Sequence, residues 1–135
     1  MRLRSRIVST VRKKGWTLVL GTSGKKDDVV RNKKLLQIKG LTDLEISADD
    51  VRRSKPHPDI FEFALKKLDG IGTEQILAVG DTPYDVQAGR QLEIRTIALL
   101  SGGFSEPELR AAGAVAVFRG PAELLYRYED WAALV

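Results

Sequence analysis

Five residues of the 135-residue sequence have the side chains and the spacing that phosphate chemistry needs. Thr22 and Ser23 follow one short apolar segment, and Lys55 stands in the segment Ser-Lys-Pro-His-Pro. Asp81 and Asp85 follow a second apolar segment, in the sequence Gly-Asp-Thr-Pro-Tyr-Asp. Hydroxyl and backbone N–H groups at a helix start bind anions, lysine neutralises phosphate, and carboxylates hold Mg²⁺, which takes oxygen ligands and keeps several waters. Taken one by one, Thr22, Ser23 and Lys55 are therefore candidates for binding phosphate, and Asp81 is a candidate for binding a hard divalent metal.

Helix capping is the competing explanation for the acidic segment. Thr82 suits an N-cap, Pro83 suits the first helical position, and Asp85 completes a T-x-x-D capping box. Capping does not explain Asp81, which precedes the cap and directly follows an apolar segment and a glycine. Metal binding and a plain loop role therefore both stay open for Asp81.

Structural explanations also compete for the other three residues. Thr22 and Ser23 are both common N-cap residues. Pro56 and Pro58 restrict the backbone around Lys55, because proline fixes its own φ and pushes the preceding residue towards extended geometry. A lysine held in this way suits neutralisation of a phosphate or a carboxylate, and a lysine in a surface turn is the alternative.

Composition excludes several kinds of site. The sequence has no cysteine, which excludes disulfides, zinc–thiolate sites and thiol catalysis, and His57 is the single histidine, which excludes a cluster of histidine ligands. Hydrophobic residues make up 43% and charged residues 30%, as in ordinary soluble domains. No apolar run reaches the roughly 18 residues of a membrane span. We interpret residues 1–135 as one domain and His57 as an exposed loop residue.

Charge is distributed unevenly along the chain. Residues 1–55 carry 15 Lys and Arg against 6 Asp and Glu, a net of +9, whereas residues 56–135 carry 7 against 12, a net of −5. The acidic half argues against a dedicated nucleic-acid module, and we expect any nucleic-acid binding to be incidental and lost at moderate salt.

Residues 3–14 are predicted to form an amphipathic surface helix, with a transit peptide as the alternative. Without another targeting signal, we expect a cytoplasmic protein.

Short apolar segments alternate with helical patterns along the whole chain, which predicts an α/β fold with a doubly wound parallel sheet of about five strands. The strands are predicted at residues 16–20, 44–47, 75–79, 94–100 and 114–118, and the helices after the first at 25–38, 59–68, 83–92, 105–112 and 121–131. Ligands of such sheets bind beyond the carboxyl ends of the strands. The hydroxyls, the lysine and the carboxylates all follow strand ends, so we expect them to converge at one edge.

The order of these motifs resembles the haloacid dehalogenase (HAD) superfamily, and within it the phosphoglycolate phosphatases and β-phosphoglucomutases. Thr22 matches the strand-end Thr or Ser of the second motif, Lys55 the lysine of the third, and Asp81 and Asp85 the acidic G-D-x-x-x-D loop of the fourth. The resemblance extends from about residue 11 to residue 131. It implies a HAD-like, Rossmann-type core.

The resemblance also implies a role for each matched residue. Asp81 would bind Mg²⁺ directly, and Asp85 would hold it through water or orient its surroundings. Lys55 would offset the charge of phosphate, and Thr22, with Ser23 beside it, would bind a phosphoryl oxygen. These roles fit phosphoryl transfer, which depends on positioning and charge neutralisation. The implied activity is Mg²⁺-dependent hydrolysis of a phosphoric monoester of a small metabolite.

One departure from the family is large. HAD enzymes attack with an aspartate of an N-terminal D-x-D motif, and this sequence contains no D-x-D motif and no segment that matches the cap domain. We therefore interpret the chain as an incomplete HAD core and expect it to be inactive alone. In the family, the strand before D-x-D lies between the strands that end in the second and fourth motifs. Its absence would leave open strand edges or force the neighbours together, and open edges favour self-association.

A smaller departure occurs at Leu92 and Glu93, where relatives often have Ala-Gly, so a C-cap glycine is absent.

Three alternative functions share the same motifs in part. A phosphosugar mutase of the superfamily would have all three matched motifs. A non-catalytic phosphate-binding module would keep the binding site but would not turn over a substrate. A receiver-like signalling domain is disfavoured, because its acidic residues would precede the threonine.

Overall fold

The computed structural model describes residues 3–22, 24–27, 31 and 40–135 of the chain. Within these ranges the helices are α1 (Leu3–Lys13), α2 (Asp59–Lys67), α3 (Pro83–Arg90), α4 (Glu106–Ala112), α5 (Pro121–Tyr126) and α6 (Tyr128–Ala132). The strands are β1 (Val19–Gly21), β2 (Leu44–Ile46), β3 (Leu77–Gly80), β4 (Arg95–Leu99) and β5 (Ala116–Phe118). Short 3-10 turns occur at Ala48–Asp50, Thr73–Gln75 and Leu100–Gly102. The α/β alternation predicted from the sequence is confirmed.

The five strands are all parallel but form two separate sheets. β1 pairs with β2, so that Val19 lies opposite Leu44, and the second sheet has the order β3-β4-β5. Among the described residues, β1 and β3 have one paired edge each and do not pair with each other. A sheet without its middle strand was expected either to keep open strand edges or to force the neighbouring strands together. The described residues show open edges on β1 and β3.

Helices cover both sheets and hold them side by side. On one face, Ile7 and Val11 of α1 join Trp131 of α6 in a core cluster that also takes in Leu18, before β1, and Leu77 of β3. On the other face, α2 packs against β2 of the smaller sheet and against α3, which covers the larger sheet. Apolar side chains at helical spacing therefore connect two sheets that share no hydrogen-bonded strand pair.

Three predicted elements differ from those observed. The first strand begins at residue 19 and not at 16, because the Leu18 N–H donates to the Asp43 carboxylate (2.7 Å) instead of to a strand. The third begins at residue 77, because residues 73–75 form a 3-10 turn. The last helix is broken at Arg127 into α5 and α6, and the break lets the Trp131 indole N–H donate to the Leu124 carbonyl oxygen (2.7 Å) in the core.

Most other boundaries agree with the prediction to within two residues. The helix predicted at residues 25–38 falls mostly outside the described residues. No helix in the described ranges has the length and apolar character that crossing a membrane requires. The cytoplasmic location stays a prediction.

Candidate functional site

Lys55 and Asp85 form the centre of the site. The Lys55 Nζ lies 2.5 Å from the Asp85 Oδ1, and the side chains are 22% and 12% exposed. Lys55 precedes Pro56, to which it is joined by a cis peptide bond, and Gln91, the residue after α3, donates a hydrogen bond to the Pro56 carbonyl oxygen (2.6 Å). The loop before α2 is thereby held against α3, and two residues 30 positions apart in the sequence become ion-pair partners.

The second carboxylate oxygen of Asp85 organises the turn between β3 and α3. Oδ2 accepts hydrogen bonds from the Asp81 N–H (3.1 Å), the Thr82 N–H (3.1 Å) and the Thr82 hydroxyl (3.0 Å). Thr82 Oγ1 in turn accepts from the Asp85 N–H (3.2 Å), which confirms the predicted capping box with Pro83 at the first helical position. Asp85 is therefore both a helix cap and the partner of Lys55.

The ionised form of Asp85 is favoured despite burial. Burial alone raises the pKa of Asp85, but the hydrogen bond and charge of Lys55, together with the hydrogen bonds from Thr82, bring that pKa below its ordinary value of 3.8. The carboxylate thus carries a full charge that matches the lysine. The ion pair with Asp85 thus fixes the position in which Lys55 would contact a bound anion.

Gly80 allows this arrangement by leaving room for the Asp85 side chain. A Cβ at position 80 would lie 2.4 Å from the Asp85 Cβ and 2.6 Å from its Cγ. Such contacts are impossible without movement of the carboxylate, so only glycine fits at this strand end. The sequence shows Gly80 only as the neighbour of Asp81, because its contact with Asp85 depends on the exact conformation of the turn and not on the capping pattern alone.

Thr22 directly follows β1, where its N–H donates to the Ile46 carbonyl oxygen (3.0 Å) and extends the strand pairing by one residue. Its Oγ1 accepts a hydrogen bond from the Gly24 N–H (3.1 Å). The hydroxyl proton is free to donate to an oxygen of a ligand. Ser23, predicted beside it as a phosphate-binding residue, lies outside the described residues.

A cavity of about 210 Å³ brings Thr22 and Lys55 together. Its remaining lining residues are Ala48, Val51, Arg52, Arg53, Ser54 and Ile60. The two arginines at this cavity were not among the residues predicted from the sequence. The signal was present in the run Arg-Arg-Ser-Lys, but a basic run is usually a solvated surface and only the fold places this one at a cavity.

Asp81 lies at the carboxyl end of β3 with an exposed side chain that makes no hydrogen bond or ion pair to any described residue. The loop after β4 approaches it closely, since a Cβ at Gly102 would lie 2.3 Å from the Asp81 carbonyl oxygen. The described part of the chain contains no group of three or more acidic or histidine side chains arranged around a metal position. One exposed carboxylate without a described partner still fits Mg²⁺, which protein sites commonly hold through one or two carboxylates, waters and substrate phosphate.

The structure brings together Lys55 and Asp85 directly, Thr22 through the shared cavity, and Asp81 through its backbone contact with Asp85. Asp85 is a poor candidate for a direct metal ligand, because Oδ1 is paired with the Lys55 ammonium and Oδ2 already accepts three hydrogen bonds. Lys55 and Thr22 can therefore donate hydrogen bonds to an anion in the cavity, and the exposed Asp81 carboxylate can bind a cation. His57 is exposed, as expected.

Comparison with known proteins adds an independent line of evidence. The sequence matches the haloacid dehalogenase-like hydrolase family over residues 5–99. It is 30% identical over 92 residues to the pyrophosphatase PpaX of Bacillus mycoides, covering 68% of this chain and 42% of that protein. The chain therefore spans less than half the length of this relative.

Two solved structures share the fold. A hydrolase from Pseudomonas syringae superposes with a TM-score of 0.83 at 32% identity, covering 93% of this chain and 58% of its own. A β-phosphoglucomutase from Clostridium difficile superposes with a TM-score of 0.78, covering 93% of this chain and 52% of its own, at 17% identity, which shows a common fold alone.

Proposed function

This chain belongs to the haloacid dehalogenase-like hydrolase family, and we propose that it forms the phosphate- and metal-binding part of a phosphatase for small phosphorylated metabolites. The observation that carries the proposal is the Lys55–Asp85 ion pair beside the cavity that Thr22 also lines. Besides the attacking carboxylate, phosphoryl transfer needs positioned charge and hydrogen-bond donors around the phosphoryl group. A fixed lysine and a strand-end hydroxyl supply both.

Lys55 and Thr22 would bind the phosphoryl group. One ammonium proton of Lys55 is used by Asp85, which leaves two donors for phosphate oxygens. The Thr22 hydroxyl accepts from the Gly24 N–H and can donate its own proton to a third oxygen. Asp85 acts as a positioning residue, since the ion pair and the cap hold Lys55 and the β3–α3 turn in place.

Asp81 is the residue that we propose to hold Mg²⁺. Its carboxylate is exposed at the strand end, and its backbone N–H is fixed by Asp85. Mg²⁺ would supply charge neutralisation for the phosphoryl oxygens when bound. With Oδ1 paired to Lys55 and Oδ2 accepting three hydrogen bonds, Asp85 would act on the metal's water shell, which is the kind of role that the family resemblance implies for it.

Turnover by this chain alone is not expected, because its sequence contains no D-x-D motif to supply an attacking carboxylate. Binding and catalysis can therefore be tested separately. Titration calorimetry of the 135-residue protein with inorganic phosphate should detect binding that Mg²⁺ strengthens. Lys55→Gln should weaken it about tenfold or more, as expected for loss of a charge-assisted hydrogen bond.

Lys66→Gln is the matched control, because Lys66 is an exposed lysine of α2 outside the cavity. The affinity of the Lys66→Gln variant for phosphate should stay within about twofold of that of the unmodified protein. Equal effects of the two substitutions, or no phosphate binding, would contradict the proposal. Appreciable Mg²⁺-dependent hydrolysis of p-nitrophenyl phosphate by the pure chain would contradict the expected inactivity.

The relatives at 30% and 32% identity are named a pyrophosphatase and a hydrolase, which supports the proposed phosphatase, and a phosphosugar mutase stays the alternative within the family. A non-catalytic phosphate-binding module is the other reading, and it requires Mg²⁺-dependent binding without turnover. The two readings separate when a D-x-D-containing segment of a relative is supplied to the chain. Restored hydrolysis supports the phosphatase, and binding without hydrolysis supports the module.

We also propose that two copies of this chain associate through an open strand edge. β3 pairs only with β4 among the described residues, and Val79 in β3 is 50% exposed, whereas residues 96–99 of β4 are buried. An unpaired edge with an exposed apolar residue is a template for another strand. Sedimentation velocity should show a concentration-dependent dimer that Val79→Lys weakens. Tyr126→Lys, at a residue that is 88% exposed on α5, should leave it unchanged.

A further inference from the structure

Gln91 connects α3 to the loop that carries Lys55. It directly follows α3 and continues the helical backbone, with φ −61° and ψ −23°. Its side-chain Nε2 donates to the Pro56 carbonyl oxygen (2.6 Å) and to the Gln87 carbonyl oxygen one helical turn earlier (3.2 Å). Both protons of the amide are thus used. One bond fixes the amide to its own helix, and the other holds the residue after Lys55.

The loop of residues 51–58 is joined to α3 at two points. One is the Lys55–Asp85 ion pair at the first turn of the helix, and the other is the bond from Gln91, just beyond its last turn, to Pro56. A loop that is held by a single contact can still rotate about that contact, and a second contact removes this freedom. The two contacts together therefore fix where the loop backbone lies against the helix.

The position of the loop backbone affects the direction in which the Lys55 ammonium group donates. Asp85 holds the far end of the lysine side chain and uses one of its three protons. The direction of the other two N–H groups depends on the side from which the flexible methylene chain approaches, and so on the backbone beside Pro56. Hydrogen bonds weaken steeply as they depart from linearity. A displaced loop would therefore weaken hydrogen bonds from Lys55 to phosphate.

We propose that Gln91 is a positioning residue for phosphate binding, which holds the Pro56 carbonyl so that Lys55 donates to phosphate in the correct direction. This inference rests on the proposed function, which assigns phosphate binding to Lys55 and Thr22. Gln91 is exposed and does not line the cavity, so an effect of its side chain on binding is expected to pass through the loop. The alternative is a purely structural role at the end of α3, where the amide also bonds the Gln87 carbonyl oxygen.

Titration calorimetry with inorganic phosphate and Mg²⁺ tests the proposal in Gln91→Met, whose side chain has a similar length and no donor. We expect the phosphate affinity of this variant to fall about fivefold, the effect of one hydrogen bond. Gln87→Met is the matched control, because it makes the same change one turn earlier at an exposed residue that contacts Gln91 through its backbone carbonyl. The phosphate affinity of the control should stay within about twofold of that of the unmodified protein.

The same substitution in the Lys55→Gln protein separates positioning from a purely structural role, because no ammonium group is left there to position. If Gln91 acts through Lys55, Gln91→Met should weaken binding by less than about twofold in this background, whereas a structural role gives the same loss in both backgrounds. Gln91→Glu is a second variant, since its ionised carboxylate has only acceptor oxygens to face two carbonyl oxygens. It should weaken binding at least as much as Gln91→Met when Lys55 is present, and thermal melts check that each variant is folded.

Two outcomes would overturn the positioning role while the proposed function stands. The first is a phosphate affinity that Lys55→Gln weakens but that both Gln91 variants leave unchanged, and the second is an equal loss from Gln91→Met with and without Lys55. Failure of the proposed function gives a different pattern, in which phosphate does not bind or Lys55→Gln has no effect on its binding. That pattern would overturn the positioning role together with the function on which it rests.

Discussion

The Lys55 ammonium group lies 2.5 Å from the Asp85 carboxylate, although the two residues belong to different elements and the carboxylate is also the cap of its own helix. Each partner is largely buried, at 22% and 12% side-chain exposure. A buried pair of this kind is costly to break, because the remaining charge is left without a partner. The same pair thus connects phosphate binding to the stability of the fold.

Lys55→Met should destabilise the protein by about 3 kcal/mol, because it leaves Asp85 Oδ1 charged, buried and unpaired. Lys55→Met combined with Asp85→Asn should be less destabilised than the sum of the single variants, since the uncompensated charge is gone. Urea unfolding measures all three. Arg110→Met, at the exposed Glu106 pair, is the control and should cost less than about 1 kcal/mol. Additive single effects would show that the two side chains are not coupled.

Acidification should remove the stabilisation that the ionised Asp85 provides. Because the pKa of Asp85 is lowered in the folded protein, the contribution is complete above the ordinary value of 3.8 and is lost as the pH falls through the lower folded-state pKa. The free energy of unfolding should therefore fall more steeply with acid, below about pH 4.5, in the unmodified protein than in Asp85→Asn. Asp43 and Asp59 also have lowered pKa values and affect both proteins equally. Parallel pH profiles would contradict the assignment.

Gly80→Ala should disturb the site from a position with no functional group. The new methyl group would lie 2.4 Å from the Asp85 Cβ and would displace the carboxylate that holds Lys55. We expect a loss of about 1–3 kcal/mol of stability and weaker phosphate binding. Gly120→Ala is the matched control, because its backbone is extended and its Cβ would meet only Ser101, at 3.9 Å. Phosphate affinity that is unchanged in Gly80→Ala would show that the position of Asp85 does not matter for binding.

Glu93→Gly should stabilise the protein. Glu93 follows α3 with φ of 59°, in the left-handed region that costs a non-glycine residue about 1 kcal/mol, and its side chain is exposed. A midpoint shift towards higher urea is expected, corresponding to about 1 kcal/mol. Glu62→Gly, inside α2 at ordinary helical geometry, should instead lose about 1 kcal/mol. A decrease in stability for Glu93→Gly would mean that the side chain makes a compensating contribution.

Local sequence signals predicted the elements and the chemical residue types well. The capping pattern from Thr82 to Asp85 was readable because N-capping depends on residues within one helical turn. The missing glycine after α3 was equally visible, and Glu93 has the left-handed backbone that the glycine would have served. Boundaries failed where a distant group intervened, as at Leu18, whose N–H is taken by Asp43.

The sequence by itself determined the parallel α/β class, the family and the convergence of Thr22, Lys55 and Asp85 near strand ends, because these follow from periodicity, capping and motif order. Only the tertiary structure decided which partners the site residues take. It paired both Asp85 oxygens, left the Asp81 carboxylate without a described partner, placed two arginines at the cavity and separated β1 from β3. These outcomes depend on packing between residues far apart in sequence, where local propensity carries no information.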